Sequence, residues 1–112
     1  MSTFVEYERH VVRALLRPHL PTERIEEVVA SAGYVSYENT GAGYFLTVAH
    51  PALPQSRVFC SEPSVIRQAP GVECGFVVFL EHGQLTLECH SWGEPQLPAD
   101  LRDRQIEILA AA

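Results

Sequence analysis

The sequence predicts an α+β fold: an N-terminal pair of helices packed on one face of a largely antiparallel sheet of about five or six strands. Two observations carry this. Up to Gly33 the apolar residues recur at helical spacing, and beyond it the period falls to two. The helical segments come first and hairpin signals follow, an arrangement that segregates helices from strands instead of alternating them.

From Thr3 to Arg17, the residues Phe4, Tyr7, Val11, Ala14 and Leu15 form an apolar stripe that Val5, Val12 and Leu16 widen. The opposite face carries Glu6, Arg9, His10, Arg13 and Arg17, the last two near the C-terminus, where the helix dipole favours positive charge. Pro18 ends this helix, since a proline ring clashes with the preceding turn. After "PHLP", Thr22 is placed to cap a second helix, with Glu23, Glu26 and Glu27 crowding its positive end. Ile25, Val28, Val29 and Ala32 form its stripe, and Gly33 is expected to close it just past the C-terminus. The short linker makes the two helices an antiparallel pair whose arginine-rich and glutamate-rich faces meet along the seam. Those charges read either as solvated faces with intramolecular pairs or as a binding surface. In the second case Glu23, Glu26 and Glu27 would be the contacts.

Beyond Gly33, "YVSYENTGAGYFLTVAH" reads as strand, turn and strand, with aromatic and β-branched residues on both sides of "NTGAG". "GAG" lacks the spacing and the following helix of a phosphate-binding loop. "PALPQS" is a connection kept out of the sheet by its prolines. "RVFCSE" and "SVIRQ" are expected as short strands interrupted at Pro63, an edge or bulged segment. "APGVE" then turns the chain into its longest β pattern, "CGFVVFLEHGQLTLECHSW". "PADLRD" is expected to form a single helical turn before "RQIEILA", which alternates as a last strand or extends as helix. The chain of 112 residues is expected to be one domain burying about two-thirds of its unfolded surface.

The stretch "LTLECHSWGE" brings a thiol, an imidazole, a carboxylate and an indole close together in sequence. With His82-Gly83 as a two-residue turn, Leu80 pairs with Leu85, Val78 with Leu87 and Phe76 with Cys89 on one apolar face. The other face pairs Phe79 with Thr86, Val77 with Glu88 and Gly75 with His90, and Trp92 follows. Successive side chains of a strand point to opposite faces, so Cys89 and His90 are not a nucleophile and its base. Cys89 is expected to be a buried core thiol. Glu88, His90 and Trp92 share a face at about 6.5–7 Å spacing along the strand. His50 and His90 with Cys60 or Glu88 are a conceivable metal set, but their spacing matches no ligand pattern, and no metal or other cofactor is expected. Phe79, Glu88, His90 and Trp92 instead have the mixed aromatic and polar composition of a binding patch. The competing reading is that a helix or the last strand covers them.

Charge narrows the classes further. Fourteen acidic residues against eight basic ones leave a net charge of −6, which repels nucleic acid and anionic membranes and suits a basic protein partner. The start "MSTFVEYERH" lacks the pattern of a signal peptide, no apolar run approaches the roughly 20 residues of a bilayer span, and three cysteines without paired spacing fit a reducing compartment. A cytoplasmic location is expected.

The segments "GAGYFLTVAHPALP" and "GFVVFLEHGQLTLECHSWGE…LPADLRDRQIEI" resemble small bacterial immunity proteins encoded beside polymorphic or contact-dependent toxins. The resemblance spans most of the chain after Gly33 and marks a strand framework. It implies a cytosolic, acidic, single-domain α+β protein that binds a cognate toxin and blocks its active site or substrate channel. Because that surface differs between lineages, the resemblance assigns no contact residue by position. The expected protein is therefore a non-enzymatic inhibitor, monomer or weak homodimer, whose partner is a basic toxin. The alternative from another class is a small enzyme or ligand-binding domain using the Glu88 and His90 face.

Overall fold

A computed structural model describes residues 3–69, 72–91, 102 and 108–111. Two helices, α1 (Glu6–Leu16) and α2 (Thr22–Ser31), precede the strands β1 (Gly33–Asn39), β2 (Gly43–Ala49), β3 (Val58–Ala69), β4 (Val72–Glu81), β5 (Gln84–Ser91) and β6 (Ile108–Ala111). The strands form one sheet in the order β1-β2-β5-β4-β3-β6, with every pairing antiparallel. The architecture is the α+β arrangement that the change of period predicts.

The stripe of α1 buries Tyr7, Val11, Val12, Leu15 and Leu16, as its spacing requires. The helix starts at Glu6 and not at Thr3, because Val5 is extended and has no side-chain oxygen to offer the first turn. Glu8 supplies half of a capping box instead, its carboxylate accepting the Val5 N–H at 2.9 Å.

Two expectations about α2 are corrected. Pro21, not Thr22, is the cap residue: it is extended, and its carbonyl accepts the N–H groups of Arg24 and Ile25. Thr22 is the first helical residue. At the other end Ala32 is itself extended, so the chain passes straight into β1 and Gly33 is a strand residue outside the left-handed region. The stripe itself holds, with Ile25, Val28, Val29 and Ala32 all buried. The helix seam is closed by Arg13, whose Nε donates to Glu26 Oε2 at 2.9 Å. That hydrogen bond holds the Glu26 carboxyl below and the Arg13 guanidinium above its usual range.

The turn between β1 and β2 is built as its residues suggest, with Asn39 Oδ1 accepting the Gly41 N–H in an Asx turn. "RVFCSE" and "SVIRQ" are one strand, β3, not two. Its register with β4 breaks between Cys60 and Val65, the interval that contains Pro63, so the missing N–H is absorbed as a bulge. β6 pairs with the second half of β3, from Ser64 to Arg67, so among the described residues the edge character expected of this segment is kept only by its first half. Of the two readings left open for the C-terminal segment, Ile108–Ala111 takes the strand. The "APGVE" turn at Pro70-Gly71 and the helical turn expected over Pro98–Asp103, Arg102 apart, lie outside the described residues.

The β4–β5 hairpin has the predicted register throughout, from Glu81 opposite Gln84 to Gly75 opposite His90. His82 and Gly83 both have positive φ, 54° and 73°, the requirement of a type I′ turn whose twist matches the strands. One face of the sheet is therefore apolar and buried: Tyr44, Leu46 and Val48 of β2, Leu85, Leu87 and Cys89 of β5, Phe76, Val78 and Leu80 of β4, Cys60 and Val65 of β3. α1 lies over β3, β4 and β6, with α2 beside it. β1, on the far side of the sheet, is consequently exposed along its whole length, with Tyr34 62% accessible. Among the described residues, no helix is long and apolar enough to cross a membrane.

Cys60, Cys74 and Cys89 are all buried. Desolvation pushes the Cys60 thiol up to about 11, so little thiolate is present near neutral pH. A thiol reagent added to native protein is expected to label none of the three in the time that fully labels urea-unfolded protein. Cys89→Ala is expected to cost about 1–2 kcal/mol of stability, measured by urea unfolding. Rapid native labelling at Cys89 would show that its position on the helix side is wrong.

Candidate functional site

The alternation that buries Leu85, Leu87 and Cys89 turns Thr86, Glu88 and His90 to the other face of β5, which neither helix covers. Three cross-strand rows build this face. In one, Glu38 of β1 stands opposite Phe45, Phe45 opposite Glu88, and Glu88 opposite Val77. In the next, Thr47 meets Thr86, Thr86 meets Phe79 and Phe79 meets Phe59. The two threonine hydroxyls bond to each other at 2.9 Å. In the third, His90 lies between Gly43 and Gly75. Gly75 has no side chain, and the imidazole occupies that space: a Cβ there would lie 2.9 Å from His90 Nε2.

Phe79, Glu88 and His90 therefore share one open face, as their register predicts, while Trp92 lies outside the described residues. Glu88 and His90 lean towards each other, closing the strand spacing to 3.6 Å between Oε2 and Nδ1. When the imidazole is protonated they form an ion pair, partly exposed and hence a weak contributor to stability. Cys60 is on the opposite, helix-covered face, so the structure does not bring it together with Glu88 or His90 as a ligand set. His50 sits in the β2–β3 connection, where its Nδ1 accepts the Ala52 N–H and its Nε2 contacts Ser31 Oγ. The glutamates of the alternative surface are exposed on α2, although Glu26 is already engaged by Arg13.

Phe59 is a part of the open face that hairpin reasoning alone missed. Its ring lies 5.0 Å from that of Phe79, tilted by 39°, and the two are 54% and 40% exposed. The alternation of "RVFCSE" contained the signal, since Phe59 adjoins the inward Cys60, but only the β3–β4 register could set it beside Phe79.

A second cluster of polar groups lies inside the protein. Glu8, fully buried, accepts the Tyr44 hydroxyl at 2.6 Å and the Arg102 guanidinium at 2.9 and 3.0 Å, besides the Val5 N–H. Tyr7 bonds to Tyr44, and Arg102 also donates to the Thr3 carbonyl at 2.7 Å and lies over the Tyr37 ring. Burial, and then the neighbouring Glu8 charge, hold the Tyr44 phenol far above its usual range. Burial alone would lower the Arg102 guanidinium, but its hydrogen bond to Glu8 and their attraction leave it raised. Both carboxylate oxygens are occupied by donors from this chain, so Glu8 serves to join α1, β2 and Arg102.

No family model, curated protein sequence or solved structure matches this chain.

Proposed function

We propose that this protein is an immunity protein of the kind encoded beside polymorphic or contact-dependent toxins, acting in the cytoplasm by covering the active site of a basic toxin domain. The observation that supports this best is the open sheet face, where exposed Phe79 stands opposite Thr86, with Glu88 the next residue along that face and His90 within 3.6 Å of Glu88. An exposed aromatic ring can fill a pocket of a partner while a neighbouring carboxylate pairs with the partner's arginine or lysine. The chain's net charge of −6 adds long-range attraction for such a partner. The second reading, a small enzyme or ligand-binding domain, draws on the 3.6 Å Glu88–His90 contact as an acid–base pair.

The test is binding kinetics against the C-terminal domain of the neighbouring gene's product. Phe79→Ala and Trp92→Ala are each expected to raise the off-rate, by about tenfold or more for a central anchor. Glu88→Gln is expected to weaken binding and flatten its salt dependence. Wild-type affinity in all three variants would remove the patch and direct attention to Glu23, Glu26 and Glu27. Absence of any binding by the wild type would remove the immunity reading.

A further inference from the structure

The open face is not flat. Beside the Phe59–Phe79 pair lies a cleft of about 480 Å³ lined by Arg57, Phe59, Phe79, Leu80, Glu81 and Thr86. Its walls are largely apolar, and the Thr86 hydroxyl at its edge is engaged by Thr47. Polarity is confined to the rim, where Arg57 Nε and Glu81 Oε2 are 3.5 Å apart. Arg57 is 81% exposed in that pair, so a competing cation can displace it at little cost.

We propose that this cleft is a socket for an apolar side chain of a partner protein, aromatic or branched aliphatic, carried beside an arginine or lysine that engages Glu81 or Glu88. The proposal rests on the protein-binding part of the function proposed above and reverses the direction of insertion: the partner supplies the anchor and this chain supplies the hole. Charge selects the occupant. At the rim Arg57 and Glu81 offset each other, with His82 Nε2 also 3.4 Å from Glu81 Oε1, and the charge left over is that of Glu88, which follows Thr86 on the same face of β5. The surplus is negative, as is the whole chain at −6, so a basic partner is attracted and a second copy is repelled. The cleft falls within the size range of small-molecule sites, but those enclose most of their ligand's surface, and this one opens along the sheet face. It suits a side chain whose remaining surface is covered by the protein that carries it.

The test uses the full chain, labelled with nitrogen-15, and three defined probes: N-acetyl-Phe-Arg-amide, N-acetyl-Ala-Arg-amide and N-acetyl-Phe-Glu-amide. The Phe-Arg probe is expected to give saturable amide shifts confined to residues 57–59, 79–81 and 86, with millimolar affinity. The other two are expected to bind about fivefold more weakly or worse. Phe59→Ala, a change at an exposed ring that leaves the rest of the spectrum in place, is expected to abolish the response. Equal response to all three probes, shifts centred elsewhere, or an undiminished response in Phe59→Ala would overturn the socket. Shifts of the same amides on raising protein concentration without peptide would assign the cleft to a second copy and overturn it as well. The two readings fail separately. A neighbouring toxin domain that binds Phe59→Ala at wild-type affinity while the dipeptide fails removes the socket alone. A socket that takes the dipeptide in a protein that binds no such domain removes the immunity reading alone.

Discussion

Glu8→Ala is expected to lower the stability of this protein by about 3–5 kcal/mol, the usual cost of removing one partner from a buried ion pair. The geometry explains why the loss is so large. The carboxylate is fully buried and receives the Tyr44 hydroxyl, two guanidinium contacts from Arg102 and the Val5 N–H. Without it, a partly buried cation and a buried phenol lose their acceptor together, and α1 loses half of its capping box. Urea unfolding measures the effect. A loss below about 1 kcal/mol would mean that water or another acceptor replaces the carboxylate, and that the network does not hold the fold. Glu8→Gln keeps the volume and some of the hydrogen bonds but not the charge, so it is expected to fall between wild type and Glu8→Ala.

The same network has a pH signature on the alkaline side. Tyr44 is held protonated by burial and by the adjacent Glu8 charge, far above the ordinary phenol value of 10.0. In the unfolded chain this phenol ionises near its ordinary value, while in the folded protein it does not. Above about pH 10 the unfolded state therefore binds fewer protons than the native state, and stability falls with rising pH by about 1.4 kcal/mol per unit from this residue. Tyr44→Phe is expected to lack that component of the slope, while keeping the contribution of Cys60. Identical alkaline slopes for the two proteins would show that Tyr44 ionises in the native state.

Glu8 also marks where the sequence stops being legible. On the helical wheel it adjoins the stripe of Val11, Val12 and Leu15, and its burial depends on Tyr44, which is 36 residues away, and on Arg102, 94 residues away. No local period connects such partners. The β4–β5 hairpin is the opposite case: a two-residue turn fixes the register, the register fixes the faces, and Phe79, Glu88 and His90 follow from neighbours within 15 residues or so of one another. Phe59 falls between the two, since its outward direction was readable from alternation but its partner depended on which strand came to lie beside β4. The ends of α2 depart from the expected caps for a related reason. Thr and Gly are preferred at caps, yet extended residues at Pro21 and Ala32 start and stop the helix without them, a case of context overriding a statistical preference.

Gly43→Ala is expected to cost on the order of 3 kcal/mol or more, an unusually large loss for the addition of one methyl group. Gly43 has φ of 153°, and a Cβ built on it would lie 1.7 Å from the Cys89 carbonyl oxygen and 2.6 Å from the carbonyl carbon. Both are backbone atoms of the paired strand, so no rotamer change relieves the overlap, and β2 must separate from β5 at that end. The damage reaches the candidate site, because Gly43 pairs with His90 and the Ser91 N–H donates to the Ala42 carbonyl next to it. Gly41→Ala is the control: it also has positive φ, 82°, but nothing lies within 4 Å of the added Cβ, so its cost is confined to backbone strain of about 1–2 kcal/mol. Urea unfolding of the two variants separates steric exclusion from strain, and amide exchange at Ser91 reports whether the β2–β5 end has opened. Equal costs for Gly43→Ala and Gly41→Ala would show that the strands tolerate a side chain between them. In that case the close approach that places His90 over Gly75, beside Glu88, is not fixed by Gly43. If the costs differ as expected, Gly43→Ala is also expected to bind a partner at this face more weakly than Gly41→Ala, without either residue touching it.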